Sequence, residues 1–382
     1  MAYTTIDDPS AYFHTQLYTS NNGYNVSVVN DANAGNFKPD FLWVKSRSDI
    51  GGYAISHNLI DSSRGVTKTL FSDTTAAEST ASQSNYDLQS FDTDGFTTGA
   101  PESTNSLGGG AVGKVAWQWK ANGGTTATNT TGNGIDSVVQ ANTTAGFSIV
   151  TYTGNGTQSG QTVGHGLGAV PTMIISKDRN ASSNVPNWRV YTVGMGNTKY
   201  LTLDTDAAAS VFNDWDDTTP TSSVYSVGGA GGYTPTNNNN TPYVAYVFAD
   251  VQGYSKFGSY VGNGSGTSDG TFNGPFVYLG FKPAWVLIKR ASYSAGDGWT
   301  LFDNTRPPRG GSTTGNYNQN KLNPASNAAE SGALYDAVDF LSNGFKARTG
   351  RAGVNASGST YIYMAFAENP FVTSTGIPTT AR

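Results

Sequence analysis

The hydrophobic pattern of the chain is that of short strands with apolar residues on both faces. Successive side chains of a strand point to opposite sides, so Trp285 and Leu287 share one face while Val286 and Ile288 share the other. A strand that is apolar on both sides belongs in the interior of a sheet. The run at 361–366 has the same two-sided pattern, and Gly-rich and Asn-rich turns separate such runs at short intervals. The pattern predicts an all-β protein with little helix.

One of these runs occurs three times, in each case as a proline, an apolar stretch and a lysine six residues after the proline. The copies lie at 37–45, 168–177 and 280–289. Internal repetition of this kind indicates one structural unit used several times. Proline cannot donate to a strand ladder and is expected at a strand start or edge. We therefore predict that Pro39, Pro171 and Pro283 lie at the start of equivalent buried strands.

The repeats divide the chain into three tandem β-sandwich units of jelly-roll or lectin-like type, with long Gly/Asn/Thr loops. Each unit would close with a strand that carries an alanine, namely Ala116, Ala245 or Ala365. Residues 121–144 contain almost nothing to bury and are interpreted as a Thr/Asn/Gly linker. The predicted boundaries are a lead-in at 1–12, a first unit at 13–120, the linker at 121–144, a second unit at 145–250, a third at 251–371 and a tail at 372–382.

The three copies are not equally similar. Copies one and three share an Ala-Ala-Glu-Ser piece, which ends at Ser79 and Ser331, and an Asp-Gly-Phe or Asn-Gly-Phe piece. The second copy has Ala-Ala-Ala-Ser at 207–210 instead. Copies one and three are therefore expected to be the closer pair.

Composition narrows the choice of partner and compartment. Charged residues make up 13% of the chain, against about 25% in an average protein, and the net charge is −5. A nucleic-acid binder concentrates Lys and Arg, so no nucleic-acid partner is expected. The absence of cysteine excludes a disulfide framework and a thiolate metal site. We see neither a secretory signal nor a run of about 20 apolar residues, and we predict no membrane insertion.

Several of these pieces resemble a known repeat family. Tyr-Thr-Gly-Asn-Gly at 152–156, the Phe-Lys-Pro runs, Ala-Ala-Glu-Ser and the ending at 361–372 are similar to a family common among virion and tail-associated proteins of marine bacteriophages. The resemblance covers about 11 to 382. It implies a phage structural or fibre-type protein with lectin-like sandwiches. Synthesis in the host cytoplasm and exposure on the virion surface are expected because the composition is that of a surface-exposed protein while no export signal is seen. The resemblance carries over no catalytic or ligand residue.

Candidate catalytic groups are few. A hydrolase triad needs a histidine beside a nucleophile, and we favour structural or turn roles for His14, His57 and His165. A glycosidase needs two carboxylates across a cleft, for which Glu78, Glu330 and the acidic residues at 214–217 are candidates. Because Glu78 and Glu330 occupy matching places in two copies, a structural hydrogen-bonding role is the preferred interpretation.

No cofactor or metal is predicted. Asp-Thr-Asp-Gly at 92–95 is similar to the start of a calcium loop, but the bidentate acid expected at position twelve would be Ser103, with Glu102 one place away. An Asp-rich turn that hydrogen-bonds its own backbone is the preferred interpretation. Calcium binding in such turns is left open by the sequence.

The lysine that ends each repeated strand, Lys45, Lys177 or Lys289, is followed closely by an arginine. These residues could contact an anion or a sialic-type sugar. The preferred interpretation is a lysine stem lying along the sandwich, with its head at the rim and paired to a carboxylate such as Asp61 or Asp303.

Aromatic residues in the Gly/Asn loops are the better ligand candidates, because exposed rings can stack on sugars and loops vary freely. The candidate glycan contacts are Tyr53, Tyr233, Tyr293, Trp299 and Tyr317. Trp299 is also compatible with a core position, since Leu301 and Phe302 are its neighbours.

Together these observations predict a non-enzymatic virion structural protein: a tail fibre, head fibre or capsid decoration. Its expected partners are other virion proteins, itself in a homo-oligomer with a trimer favoured, and host surface glycans in a host-attachment role. The alternatives are a soluble lectin-like carbohydrate-binding protein and, less favoured, a glycan depolymerase.

Overall fold

The computed structural model describes residues 3–21, 26–31, 37–80, 88–99, 107, 110–182, 186–266, 272–293, 298–306, 317–318, 320–331 and 338–379. Apart from one 3-10 turn at Pro9–Ala11, the regular structure of these residues is β-strand. The all-β class is confirmed. No helix in this described part of the chain is long and apolar enough to cross a membrane.

The strands fall into three regions. The first region contains β1 (Phe13–Thr19), β2 (Val26–Val28), β3 (Phe41–Ser46), β4 (Asn58–Asp61), β5 (Lys68–Phe71), β6 (Ser79–Thr80), β7 (Leu88–Asp92), β8 (Gly95–Thr98) and β9 (Gly113–Trp119). The second contains β10 (Ala127–Asn129), β11 (Gly134–Ile135), β12 (Ser137–Asn142), β13 (Phe147–Thr153), β14 (Gln161–Gly164), β15 (Met173–Asp178), β16 (Arg189–Thr192), β17 (Lys199–Thr202), β18 (Ser210–Val211), β19 (Val224–Val227) and β20 (Pro242–Phe248). The third contains β21 (Ser255–Val261), β22 (Phe276–Tyr278), β23 (Phe281–Arg290), β24 (Trp299–Asp303), β25 (Tyr317–Asn318), β26 (Val338–Leu341), β27 (Gly344–Ala347) and β28 (Thr360–Pro370).

Each region has a large and a small sheet with a related strand order. The large sheets run β1-β9-β3-β4-β5-β6, β10-β12-β13-β20-β15-β16-β17-β18 and β21-β28-β23-β24, and the small sheets run β2-β8-β7, β11-β14-β19 and β22-β27-β26-β25. In every region a hydrophobic cluster takes side chains from both sheets, as Leu42 and Phe96 do in the first region. The two sheets of a region therefore share one apolar layer.

The repeated stretch forms an internal strand in all three regions, as the two-sided pattern predicted. β3 lies between β9 and β4, β15 between β20 and β16, and β23 between β28 and β24. The register is also equivalent, because the residue two places after each proline pairs with an aromatic residue of the closing strand. These pairs are Phe41 with Trp119, Met173 with Phe248, and Trp285 with Phe366.

The prolines differ in one detail. Pro39 and Pro171 precede their strands by two residues, whereas Pro283 lies inside β23, where the register with β28 shifts on both of its sides. A bulge accommodates a residue that cannot donate a ladder hydrogen bond.

The closing alanine of the third copy was misassigned. Ala116 pairs with Val44 and Ala245 pairs with Ser176, and in the third region Tyr363 holds the same position, opposite Ile288. Tyr363, and not Ala365, is the equivalent residue.

The linker interpretation of residues 121–144 is wrong. These residues form β10, β11 and β12, and β12 pairs with β13 through six residue pairs from Ser137–Tyr152 to Asn142–Phe147. Val139 is buried while Val138 is exposed, which is strand alternation hidden in a polar composition. The buried Gln140 is satisfied by side-chain hydrogen bonds to Ser62 and Ser63 of the first region. β10 and β12 thus belong to the eight-stranded sheet, and β11 belongs to the three-stranded sheet of the same region.

The faces of the large sheets that point away from the small sheets meet in one central cluster. Its aromatic members come from all three regions: Phe13, Phe41, Trp43, Trp117, Trp119, Phe147, Trp188, Tyr246, Phe248, Tyr254, Phe257, Trp285, Trp299 and Phe366. Two-sided apolar strands are required here, because one face contacts the small sheet and the other contacts the neighbouring regions.

The N-terminal segment contacts the third region and the C-terminal tail. Ile6 is buried, Tyr3 donates a hydrogen bond to the Gly280 carbonyl at 2.7 Å, and the Asp7 carboxylate accepts from the backbone and hydroxyl of Ser374. The hydrogen bonds from Ser374 lower the pKa of Asp7.

Candidate functional site

The three repeated lysines are the most regular polar feature of the contacts between regions. Lys45, Lys177 and Lys289 are buried. Their Nζ atoms donate to the backbone carbonyls of Asn327, Thr75 and Asp206 respectively, at 3.0, 3.2 and 2.9 Å. In each case the carbonyl belongs to another region and comes just before the Ala-Ala-Glu or Ala-Ala-Ala piece.

The expectation that these lysine heads lie at a rim and pair with Asp61 or Asp303 is wrong, because the lysines are buried and those two carboxylates contact Arg64 and Arg306. A buried ammonium group needs acceptors, and backbone carbonyls at the boundary between regions provide them. Lys45 and Lys177 also donate to carbonyls near their own strands, those of Ser46 and Pro186. Each lysine therefore joins its own region to a neighbouring one through a backbone carbonyl.

Buried lysines make the stability of the protein depend on pH. Burial lowers the pKa of Lys45 and Lys177 to about 8, below the ordinary 10.5. Between these values the unfolded chain binds more protons than the folded chain, so the free energy of unfolding should rise as pH increases from 8 toward 10.5. We expect urea denaturation at several pH values to show this rise and Lys45→Met to reduce its slope. The same change at Lys68, which is not buried, controls for the lost charge, and an equal effect of both variants would contradict the prediction.

A chain of buried ion pairs joins the first region to the second. Arg64 Nε contacts Asp61 Oδ2 at 2.5 Å, and Arg64 Nη1 donates to Glu78 at 2.9 Å. Glu78 in turn accepts two hydrogen bonds from Arg179 of the second region. Tyr246, also of the second region, donates its hydroxyl proton to Asp61 at 2.9 Å.

The third region is joined to the first by the same arrangement. Arg306 Nε contacts Asp303 at 2.6 Å and Nη1 contacts Glu330 at 3.1 Å, and Glu330 accepts two hydrogen bonds from Arg47. Trp117 of the first region donates its indole N–H to Asp303 at 3.0 Å. This hydrogen bond is the equivalent of the one that Tyr246 donates to Asp61.

The junction between the second and third regions keeps the backbone contact but has none of these charges. The Ala209 amide donates to the Ala291 carbonyl at 2.8 Å, as Glu78 does to Arg179 and Glu330 does to Arg47. By strand register, Thr192 takes the place of Asp61 and Asp303, and Met364 takes that of Tyr246 and Trp117. The junctions thus run in a closed cycle in which all three keep the repeated lysine and two also have the arginine–carboxylate group.

Glu78 and Glu330 have the structural role that the sequence favoured. Burial by itself would raise the pKa of Glu78, but hydrogen bonds and charge from Arg179 and Arg64 lower it overall. A carboxylate held ionised between two guanidinium groups has no proton to give as a general acid.

The three histidines bond to structural partners. His57 is buried and accepts from the Trp43 indole at 3.0 Å, and burial lowers its pKa well below the usual value. His165 bonds to the Thr221 carbonyl and His14 to Asp31. In the hydrogen-bond pattern of the described residues, no histidine is paired to a serine or threonine hydroxyl, as a triad requires.

Within the described ranges, no group of three or more His, Asp or Glu side chains could hold a metal ion. The Asp92 carboxylate accepts from the side-chain hydroxyls of Ser90 and Thr97 inside the β7–β8 hairpin, whereas the Asp-turn interpretation expected bonds to the backbone of the turn. Glu102 and Ser103, which the calcium-loop alternative would use, lie outside the described residues.

The candidate glycan-contact aromatic residues differ in their exposure to solvent. Trp299 is buried and donates its indole N–H to the Thr202 carbonyl at 2.9 Å, so it belongs to the core and is wrong as a ligand contact. Tyr53 is exposed on a Gly-Gly turn, and Tyr293 is exposed with the Arg290 guanidinium 4.4 Å from its ring centre. Tyr317 lies in β25, and its side chain is outside the description.

Tyr233 is the candidate that lines a cleft. With Arg189, Tyr200, Phe212 and Pro235 it surrounds a cavity of about 230 Å³. Arg189 begins β16, Tyr200 lies in β17 and Phe212 follows β18, so three neighbouring strands at one edge of the eight-stranded sheet supply one wall. The loop that follows β19 supplies Tyr233 and Pro235. We call this cavity the aromatic cleft.

The hairpin that carries Tyr233 is held firmly. Ala230 and Tyr233 form a β-bridge around two glycines with positive φ. The Thr236 hydroxyl donates to the Asp214 carbonyl at 2.6 Å and accepts from the Gly228 amide at 3.0 Å. A Cβ on Gly229 would come within 1.8 Å of the Tyr233 carbonyl oxygen, so only glycine fits there.

The acidic run at 214–217 forms a turn behind the cleft and does not provide a pair of carboxylates facing each other. Asp214 is buried, with Oδ2 3.5 Å from Arg189 Nε, whereas Asp216 accepts from the Gly160 amide at 2.7 Å. Burial raises the pKa of Asp214 to about 6 even though the charge of Arg189 lowers it. No sequence signal pointed to Arg189, Tyr200 or Phe212, because none of them belongs to the repeat pattern.

Comparison with known proteins gives one result. A family model described as a domain of unknown function, DUF7483, matches residues 8–370. No curated protein and no solved structure matches the chain.

Proposed function

The chain belongs to the DUF7483 family of domains of unknown function, and we propose that it is a non-enzymatic structural protein of a bacteriophage particle, either a tail fibre, a head fibre or a capsid decoration. The closed cycle of junctions is the observation that carries the structural part of this proposal. The polar groups at the junctions bond one region to the next, and the three regions pack around one aromatic cluster. Such an arrangement is suited to a rigid structural protein.

The particle part of the proposal is supported by the resemblance of the repeats to phage virion proteins. In this proposal each region is one tandem sandwich copy of jelly-roll or lectin-like type, placed on the virion surface with other virion proteins as partners. The related strand order and equivalent register of the three regions support common descent of the copies. Self-association, with a trimer favoured, is tested by sedimentation equilibrium of the purified chain.

Mass spectrometry of purified particles tests the particle role. We expect peptides of this chain in particles after density-gradient purification, at a constant ratio to the major capsid protein. Particles made in parallel without the gene provide the control. Absence of the chain from intact particles that are produced normally would overturn the proposal.

A lectin that acts alone is the second candidate, and the aromatic cleft is the observation that favours it. A glycan array with the isolated chain separates the two roles: sugar-specific binding without the particle supports the lectin. The depolymerase alternative has less support, because Glu330 is held between Arg47 and Arg306. For that alternative, Asp216→Ala and Glu330→Ala would have to abolish the release of reducing sugar from host polysaccharide.

A further inference from the structure

The aromatic cleft contains a guanidinium group whose hydrogen-bonding capacity is not used. The Arg189 side chain is 5% exposed, yet no hydrogen bond within the described structure uses it, and its Nε atom is buried without a partner. It has two close contacts, the Tyr200 ring with its centre 4.1 Å away and Asp214 Oδ2 at 3.5 Å. An arginine has five N–H donors, and leaving buried donors unsatisfied is costly. Because Nε faces Asp214, an acceptor entering the cleft would use the other two guanidinium nitrogens, which also make no hydrogen bond within the described structure.

The lining of the cleft favours an anionic acceptor. Arg189 is the one charged residue among the described residues that line it. Its counter-charge, Asp214, lies behind it, fully buried, and neither carboxylate oxygen has a hydrogen-bond partner. At 3.5 Å the pair lacks the close bidentate contact that usually binds arginine to a carboxylate. A ligand carboxylate could make that contact with the guanidinium.

The remaining walls favour a ring. Tyr200, Phe212, Tyr233 and Pro235 present aromatic and apolar surface, and Tyr233 is 49% exposed. Such surface can cover the C–H face of a sugar ring while the polar edge of the ring stays in water or meets Arg189. A cavity of about 230 Å³ is smaller than the ~300–1,000 Å³ of drug-sized ligand sites. One ring fits this space better than an oligosaccharide.

We propose that the aromatic cleft binds a single acidic pyranose, a uronic-acid unit of a polysaccharide, with its ring against Tyr233 and Phe212 and its carboxylate on Arg189. This inference goes beyond the particle role, because it holds whether the chain acts on a particle or alone. It also assigns one of the three regions as the binding region, since Arg189, Tyr200 and Phe212 are outside the repeated pattern.

Titration of the full-length chain with methyl glucuronide and methyl glucoside, followed by saturation-transfer NMR and calorimetry, tests the proposal. The two sugars share a ring and differ at the carboxylate. We expect the glucuronide to bind with a Kd on the order of 1 mM and the glucoside at least about tenfold more weakly. Failure of the glucuronide to bind at about 50 mM, or equal binding of both sugars, would overturn the proposal.

Two exposed tyrosines provide a matched pair of variants. Tyr233 and Tyr53 both end a β-bridged turn around two glycines, but Tyr53 is far from Arg189 in sequence and does not line the cleft. We expect Tyr233→Ala to weaken glucuronide binding about tenfold or more and Tyr53→Ala to leave it unchanged. Both side chains are exposed, so neither variant should unfold the protein. Equal effects of the two variants would place the binding elsewhere.

A third variant tests the contribution of charge. Asp214→Asn removes the counter-charge of Arg189 without removing a hydrogen bond from the Asp214 side chain. We expect tighter binding of the glucuronide and unchanged binding of the glucoside. Unchanged glucuronide affinity would overturn the assignment of the carboxylate to Arg189.

Discussion

Replacing Arg64 with methionine should lower the free energy of unfolding by about 3–5 kcal/mol, the usual cost of removing one partner of a buried ion pair. Arg64 donates to Asp61, Glu78, the Leu59 carbonyl and the Tyr246 hydroxyl. Without it the Asp61 carboxylate remains buried with no cation beside it. Denaturation in guanidinium chloride, monitored by tryptophan fluorescence, measures the loss.

The residues at the junction between the second and third regions indicate which further substitutions should restore the stability that Arg64→Met loses. The junction between the second and third regions has Thr192 in place of Asp61, Ala209 in place of Glu78, Ala291 in place of Arg179 and Met364 in place of Tyr246. We expect the variant Asp61→Thr, Arg64→Met, Glu78→Ala, Arg179→Ala, Tyr246→Met to recover most of the stability that Arg64→Met loses. Replacing a complete buried ionic group by well-packed hydrophobic residues of similar volume is often neutral or stabilising, and the smaller residues chosen here already meet at the junction between the second and third regions.

Arg348→Met is the matched control for this series. Arg348 pairs with Asp339 at 3.2 Å, but its side chain is 37% exposed, and a surface pair of this kind contributes about 0–1 kcal/mol. Arg64→Met would have to be clearly more destabilising than Arg348→Met. If the two were equal, the buried pairs would not be what holds the first and second regions together.

The sequence predicted the strands better than their arrangement. Pro39, Pro171 and Pro283 located three equivalent internal strands because a two-sided apolar pattern is a local property. The same local pattern could not show that the second apolar face of each strand contacts other regions. Those contacts depend on pairs such as Lys45 with Asn327, which are 282 residues apart in the chain. The misassigned linker has a similar cause, because Gln140 has its partners at Ser62 and Ser63.

The sequence nevertheless contained a signal for the junctions. Asp-x-x-Arg occurs at 61–64 and 303–306, each followed by the Glu of Ala-Ala-Glu, and the second copy lacks the acid, the base and the Glu together. Such a joint loss indicates that the residues contact one another. The aromatic cleft has no comparable signal, because Arg189 and Tyr233 are 44 residues apart and are brought together by the sheet edge and one hairpin.

The three regions should unfold as one unit, and Phe366→Ala should move the whole transition. The Phe366 ring lies 5.1 Å from Phe13 and 5.6 Å from Trp119 of the first region, 6.0 Å from Phe248 of the second and 5.9 Å from Trp285 of the third, measured between ring centres. Removing a large buried aromatic side chain costs about 3–5 kcal/mol. Because its contacts are shared among the regions, the loss should destabilise all of them together.

Scanning calorimetry measures this effect, with Phe276→Ala as the control. Phe276 is 46% exposed on β22, so its removal should change the free energy of unfolding by no more than about 0.5 kcal/mol. For the chain and for Phe366→Ala we expect a single heat-absorption peak, lower in temperature in the variant. Separate peaks, of which Phe366→Ala moves only one, would contradict a shared core: the regions would then be independent units in contact, and the central cluster would contribute little to their cohesion.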